Sequence, residues 1–503
     1  MPEVIQIRQT PGPPDEERFD AQEHIILLLP ASVAKGRWPR LPYRDLLKKR
    51  AARHPRLKCG TVAFTAELPN ARGTRATLAC LDPDAERFEL LTLARKLVAA
   101  ALQPEPQALA VAAAGLDPEL ARRGAEAVVS AALAARAEMP QYKSTPPEAR
   151  RLKSLRLLGL ESRLDLGRVR AEAEGNALAR ELSAMPPNEL TPRAYRERVE
   201  ALAREAGWRC RFHDMAALEK RGAGAFLAVA RGSEDREAGI VHLRYTPPRG
   251  ARRSRLALVG KGICFDTGGY SLKPTRGMIG MQEDMEGSAV ALGTLLALTR
   301  LKADFPIDCW LALAQNHIGP RAYKPTEVVR ALDGTTIEIV NTDAEGRMVL
   351  ADTLALAARE KPDLILDYAT LTGSCVTALG TRYSGAFTNR RTLVPEIIEA
   401  GRASGERVWP FPTDADYDEE LESKVADTKQ CPVGGEADHI YAARFLARFV
   451  PEAVPWVHVD LAAGHHEGGL GHVPTDATGF GVGFTLALLY DRGVASRLDG
   501  ENR

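Results

Sequence analysis

Apolar positions follow two rhythms along the first third of the chain. Residues 24–29 (HIILLL) are apolar without a break after His24, the pattern of a strand buried on both faces. Runs at 60–68, 76–81, 108–113 and 152–158 predict four more strands. Between them, 87–102 and 118–137 carry apolar residues at helical spacing and predict helices. This alternation predicts a small α/β domain. Residues 1–20 are acidic and proline-rich, which predicts a loose arm.

Further along, 168–182 reads as a long helix that ends before Pro186 and Pro187. Thr191 as cap and Pro192 in the first turn start another helix over 194–206, and Gly207 suits its end. Strands are predicted at 208–213, 225–230, 239–245, 256–259, 307–314, 336–340, 364–368 and 456–462, and helices at 284–300, 348–359, 438–448 and 477–490. The fold class is therefore α/β in two domains. A smaller one spans 1–164, a linking helix lies within 165–190, and a larger one over 191–503 has a central, mostly parallel sheet. No internal repeat or low-complexity segment interrupts the pattern.

Charge gathers at two places where a predicted strand ends. One is Asn341-Thr342-Asp343-Ala344-Glu345-Gly346-Arg347, between the strand 336–340 and the helix 348–359. Open α/β sheets place ligands at that edge. Asp343 and Glu345 repel each other unless solvent or a cation intervenes; a helix N-terminus favouring acids is the plainer reading. The other follows the strand 256–259: Lys261 between Gly260 and Gly262, then Asp266, Lys273 and, eleven residues on, Asp284. If Asp266, Asp284, Asp343 and Glu345 converge at strand ends, two divalent cations would neutralise them. Carboxylate oxygens suit Zn²⁺, Mn²⁺, Mg²⁺ or Co²⁺. A two-metal site can deprotonate a water, polarise a carbonyl and hold a leaving group. These acids alone leave peptide and phosphoester hydrolysis both open.

The strings GKGxxFDxGGxSxK, xDMxG and NTDAEGR, in this order and spacing, resemble the leucyl aminopeptidase (cytosol aminopeptidase) family of metallopeptidases. The likeness runs over roughly 165–490 and includes Pro186 to Pro192, Ala369 to Gly373 and Ala477 to Gly481. It implies a two-metal aminopeptidase that releases the N-terminal residue of peptides or dipeptides through a metal-bridging water. Lys261 would ligate one metal as a neutral amine, as a lysine held against a cation readily becomes; a salt bridge to one of the acids is the alternative. Asp266 and Glu345 would bridge both metals, Asp284 would complete the site of Lys261, and Asp343 the other. Lys273 would polarise the substrate carbonyl, and Arg347 would hold a bicarbonate ion that shuttles the proton. Met281, Thr370, Gly373 and Ala462 match positions lining the side-chain pocket, and imply a preference for Leu or Met. The resemblance further implies a homohexamer of two stacked trimers, with the N-terminal domain serving assembly.

Composition adds limits. A net charge of +1 gives no global attraction to nucleic acid. That argues against the DNA-binding side role of some family members, so peptides are the expected partners. Seven cysteines without a CxxC pair predict free, buried thiols in a reducing compartment. No apolar run reaches membrane-spanning length and no leader-like segment opens the sequence, so a soluble, cytoplasmic protein without a membrane partner is expected. Departures from the family at Glu286 and in three stretches bear on substrate preference. Glu286 stands where a small residue is usual, and either adds negative charge beside the metals or points outward. The stretches 315–321 and 434–439 are altered. So is 464–469, where His465 and His466 form either an adventitious metal site or a surface pair.

Overall fold

The computed structural model describes residues 5–53, 58–103, 105–145, 152–248 and 254–497. The chain divides into two compact units, Met1–Ala173 with Glu467–Asp476, and Glu174–His466 with Ala477–Arg503.

The first unit is built on a six-stranded sheet in the order Gln6–Thr10, Ser154–Leu158, Ala108–Ala113, His24–Pro30, Arg75–Leu81, Val62–Glu67. Only the last pairing is antiparallel. The central strand is apolar from Ile25 to Leu29 because both its faces are covered. Ile26 and Leu28 pack with the helices Arg87–Ala101 and Pro118–Arg136, while Ile25, Leu27 and Leu29 pack with Phe19, Val33 and Leu47. Each helix starts where its sequence provides a cap: Glu86 and Glu89 form a reciprocal capping box, and Asp117 accepts from Glu119 N and Leu120 N ahead of Pro118.

The loose arm expected over 1–20 is not what the described part of it forms; residues 1–4 lie outside the described residues. Gln6–Thr10 is an edge strand paired in parallel with Ser154–Leu158, and Glu16–Asp20 is a short helix capped by Asp15. Two buried anchors, Ile5 and Phe19, hold the segment. Polar residues alternating with few apolar ones hid them.

His24 opens the central strand fully buried, with Nε2 2.7 Å from Thr77 Oγ1 and Nδ1 without a partner. Burial, helped by Arg75, lowers its pKa to about 4. A folded-state pKa below the unfolded one favours the native state above pH 6.5, and that contribution is lost as pH falls towards 4. The urea midpoint of this protein should therefore drop between pH 6.5 and 4, and His24→Gln should flatten the drop. A slope unchanged in the variant would assign the acid sensitivity elsewhere.

The second unit has an eight-stranded sheet in the order Val408–Pro410, Ser384–Thr388, Trp456–Asp460, Leu364–Ala369, Leu256–Asp266, Ile307–Asn316, Gly239–Tyr245, Arg209–Asp214. Four of its seven pairings are parallel, including all three that join the four central strands. The strand predicted at 336–340 lies elsewhere. Thr336–Glu338 belongs to a separate three-stranded sheet with Val328–Arg330 and Thr428–Lys429. The segment 225–230 is a helix, Gly224–Ala230, not a strand. Its run is apolar on every side, so periodicity cannot tell the two apart. What selects the helix is Asp352, whose carboxylate accepts from Phe226 N at 2.8 Å and from Leu332 N at 2.7 Å. The single helix predicted over 477–490 begins only at Val482, after left-handed turns at Gly479 and Gly481, and widens into a π-turn at Ala487–Asp491.

Glycines let the helix Glu286–Arg300 lie directly on the sheet. A Cβ on Gly260 would come within 2.4 Å of Ser288 Cα, and one on Gly287 within 2.1 Å of the Tyr368 carbonyl oxygen. Gly287→Ala is therefore expected to destabilise the protein by about 1–3 kcal/mol or more through overpacking against backbone. Denaturant unfolding would read this, and a stability within about 0.5 kcal/mol of wild type would show that the helix can slide away.

Candidate active site

The site lies in the second unit, at the carboxyl ends of three central strands. Asp266 ends one, Thr370 follows the next, and Ala462 lies two residues past the third. Lys261 and Asp266 are five residues apart on one strand, and a regular pleat would send them to opposite faces. The register slips between them: Ile263 pairs with Ala314, yet Asp266 pairs with Asn316. The extra residue flips the parity, as a bulge does, and both side chains reach one cavity.

That cavity, of about 520 Å³, is lined by all eleven residues singled out in the sequence: Lys261, Asp266, Lys273, Asp284, Asp343, Glu345, Arg347, Met281, Thr370, Gly373 and Ala462. Lys261 Nζ lies 2.7 Å from Asp284 Oδ1, 2.9 Å from Glu345 Oε1 and 2.7 Å from the Thr370 carbonyl. Lys273 Nζ lies 3.0 Å from Asp266 Oδ2 and 2.7 Å from Asp343 Oδ1. Each lysine thus spans two acids. One oxygen from each of Asp266, Asp343 and Glu345 falls within 4.8 Å of the others. Asp284 Oδ2 and Glu345 Oε2 are buried without a hydrogen-bond partner.

Two loops are locked together behind these groups. Asn316 Nδ2 donates to Asp266 Oδ1 at 2.8 Å and to the Thr342 carbonyl at 2.9 Å, where Tyr323 also donates at 2.8 Å. Thr342 Oγ1 donates to the Gly268 carbonyl and accepts from Ser271 N, both at 2.7 Å. Reading for charge passed over these neutral groups.

Burial raises the carboxyl pKa of Asp284 to about 6, with Asp266 adding to it and Lys261 opposing. Burial and the neighbouring Asp266 likewise raise Asp343, and take Glu345 well above its usual range. Burial alone would lower Lys261 and Lys273, but the acids around them hold both above the usual range. In the protein alone the lysines supply the positive charge that the acids require. Acidic oxygens in excess of their cations, two of them orphaned, are the donor set for hard divalent ions, and a bound ion would invert the charge logic of Lys261. The residues present fit such ions.

Arg347 is almost wholly buried. Its Nη2 donates to both oxygens of Asp438, at 2.8 and 2.7 Å, and Nη1 to the Gln430 carbonyl at 3.3 Å. The anion on this guanidinium is thus one of the chain's own carboxylates, from the altered stretch 434–439. Glu286 does not point outward; it lines the same cavity as the acids. It is buried with Oε2 where a Cβ on Gly464 would be, and burial together with Glu283 raises its pKa well above the usual range. His465 and His466 part company: His465 Nδ1 lies 2.8 Å from Glu283 Oε2, and His466 Nδ1 2.7 Å from Thr381 Oγ1.

An open α/β sheet with a carboxylate-rich centre at its strand ends is the frame of a metal-dependent hydrolase. The profile of the cytosol aminopeptidase family, catalytic domain, matches residues 177–486. A probable cytosol aminopeptidase of Parasynechococcus marenigrum is 42% identical over 374 residues, 73% of this chain and 75% of the relative. One from Solibacter usitatus is 38% identical over 400 residues, 78% and 82% of the two. Among solved structures, a mutant of tomato leucine aminopeptidase superposes with a TM-score of 0.86 at 28% identity, covering 97% of both chains. The bottromycin maturation enzyme BotP in complex with Mn gives 0.79 at 32% identity, covering 94% of this chain and all of that one.

The chain belongs to the cytosol aminopeptidase family. It is a metal-dependent aminopeptidase that acts on peptides, which decides between the two hydrolyses that the acids left open. Among the described residues, no helix is long and apolar enough to cross a membrane. All seven cysteines are free thiols.

Proposed function

We propose that this protein removes the N-terminal residue of peptides or dipeptides at a centre of two divalent ions, Zn²⁺ or Mn²⁺ before Mg²⁺ or Co²⁺. The observation that carries this reading is the clustering of four acids and two lysines in one cavity, with ligand oxygens of Asp266, Asp343 and Glu345 within 4.8 Å of one another. Asp266 and Glu345 would be shared by both ions, with Asp284 and Lys261 completing one site and Asp343 the other. When bound, the ions supply Lewis-acid polarisation and an activated water. Lys273, 16% exposed at the cavity wall, reaches the scissile carbonyl and stabilises its developing negative charge. Met281, Thr370, Gly373 and Ala462 receive the side chain of the departing residue, a Leu or Met. The structural relative BotP is a complex with Mn, which favours Mn²⁺ among the candidates. A bicarbonate ion at Arg347 would have to compete with Asp438 for Nη2.

Assembly as a hexamer of two stacked trimers, with the N-terminal domain serving assembly, belongs to the same reading, as does a cytoplasmic location. Sedimentation would test the first. The test of function is hydrolysis of aminoacyl-p-nitroanilides and dipeptides by metal-stripped protein given each ion in turn. Activity restored by metal and confined to free N-termini is expected. Equal cleavage of N-acetylated substrates, or activity in the stripped protein, would overturn the proposal.

A further inference from the structure

Hydrolysis of an amide needs one proton moved from the attacking water to the leaving nitrogen. Most carboxylates of the cavity are committed elsewhere. Asp266, Asp284, Asp343 and Glu345 face the lysines and the proposed ions. Asp460 accepts from Leu371 N and Thr372 Oγ1, Glu283 is held by His465, and Glu286 is sealed beneath Gly464. Asp438 differs from all of them. It lines the same cavity with its side chain 26% exposed, so water reaches it, and its anchor Arg347 is 1% exposed, so its position is fixed.

A guanidinium keeps its proton at any pH the protein meets. It therefore holds a carboxylate without competing for the proton that the carboxylate is to carry. Both Asp438 oxygens rest on one nitrogen, which leaves lone pairs free on each. Asp438 is also the first residue of the helix Asp438–Ala447, where the helix dipole favours the anion. It is placed there by Ala437, a non-glycine residue at φ +53°. Left-handed backbone of that kind is costly and persists where the surroundings impose it.

We propose that Asp438 is the proton carrier of this hydrolysis. It takes a proton from the attacking water as the water oxygen bonds to the peptide carbonyl carbon. It returns that proton to the nitrogen as the C–N bond breaks, and so ends the cycle ionised. The chain thereby supplies from its own sequence the anion on Arg347, and needs none from solution. This rests on the two-ion reading above.

Four measurements test it. Bicarbonate added to the metal-loaded wild type should leave kcat unchanged, because the place on Arg347 is filled; activation of several-fold would overturn the proposal. Asp438→Asn keeps the shape and should lower kcat by about 10²–10⁴-fold, with KM and the number of ions bound per chain nearly unchanged. Asp438→Ala should lose as much, and formate or bicarbonate should restore at least about tenfold by entering the vacated place. The same anions should raise the melting temperature of metal-free Asp438→Ala and not that of wild type. An Asp438→Asn variant keeping more than about a third of kcat, or an alanine variant that neither anion rescues or stabilises, would make Asp438 only a brace for Arg347. If neither variant folds, the bicarbonate titration of wild type decides. A wild type without aminopeptidase activity fails the two-ion reading; an active wild type with an active asparagine variant fails this inference alone.

Discussion

Glu345→Ala is expected to leave no more than about one-thousandth of wild-type kcat/KM on aminoacyl substrates and to reduce the ions bound per chain. Glu345 is the first residue of the helix Glu345–Arg359, 1% exposed, with one oxygen on Lys261 and the other unpartnered. It links both halves of the acid cluster: it shares Lys261 with Asp284 and lies within ligand distance of Asp266 and Asp343. Removing it takes a donor from both proposed ions at once. The metal-free protein should respond quite differently. There the substitution deletes an acid that burial already disfavours, and Lys261 keeps Asp284, so the melting temperature should change little. The difference should open when ions are added, because a ligand that binds only the native state stabilises it. Steady-state kinetics, metal analysis and melting with and without Mn²⁺ read all three. Wild-type hydrolysis by the variant would sink the shared site.

Lys273→Met should lower kcat by about 10²–10³-fold, the usual effect of removing one donor to a developing oxyanion, while the ion count stays at the wild-type value. Lys273 bridges Asp266 and Asp343 in the protein alone, so its loss also removes a cation from two acids. Bound ions take over that duty, and the catalytic loss is then left exposed. The discriminating outcome is the pairing of the two readouts. A fall in activity with ions retained assigns Lys273 to the substrate carbonyl. A parallel fall in both would reduce it to a brace for the ligands.

Much of the fold could be read from the order of apolar runs. The run 25–29 and the strand 108–113 are apolar because both faces are covered, and that leaves a plain mark. Two of the misreadings share a cause: partners distant in sequence decide them. The segment 225–230 is helical because of Asp352, more than a hundred residues on, and the strand Thr336–Glu338 left the central sheet to pair with Thr428–Lys429. At the site, charged residues in dense motifs were legible one by one. Their meeting was legible through the family resemblance and not from local pattern, because the parity of Lys261 and Asp266 depends on a register slip that no local pattern records. Asp438 escaped for the same reason. It stands 91 residues from Arg347, in a stretch notable in sequence only for departing from the family.

The division of the chain has a practical side. The unit that begins at the N-terminus is finished by Glu467–Asp476, ten residues from near the other end. Within that excursion Gly468 N donates to Asp476 Oδ1, and Arg95 donates to the Gly468 carbonyl. A fragment stopped at residue 173, or at the boundary of 164 expected from sequence, lacks this segment and leaves Arg95 without that acceptor. The complementary fragment carries the segment without the unit that folds around it. Truncation should thus yield two poorly behaved pieces. A protease nick near residue 173 should leave them associated under native conditions, and coexpressed halves should recover what neither has alone.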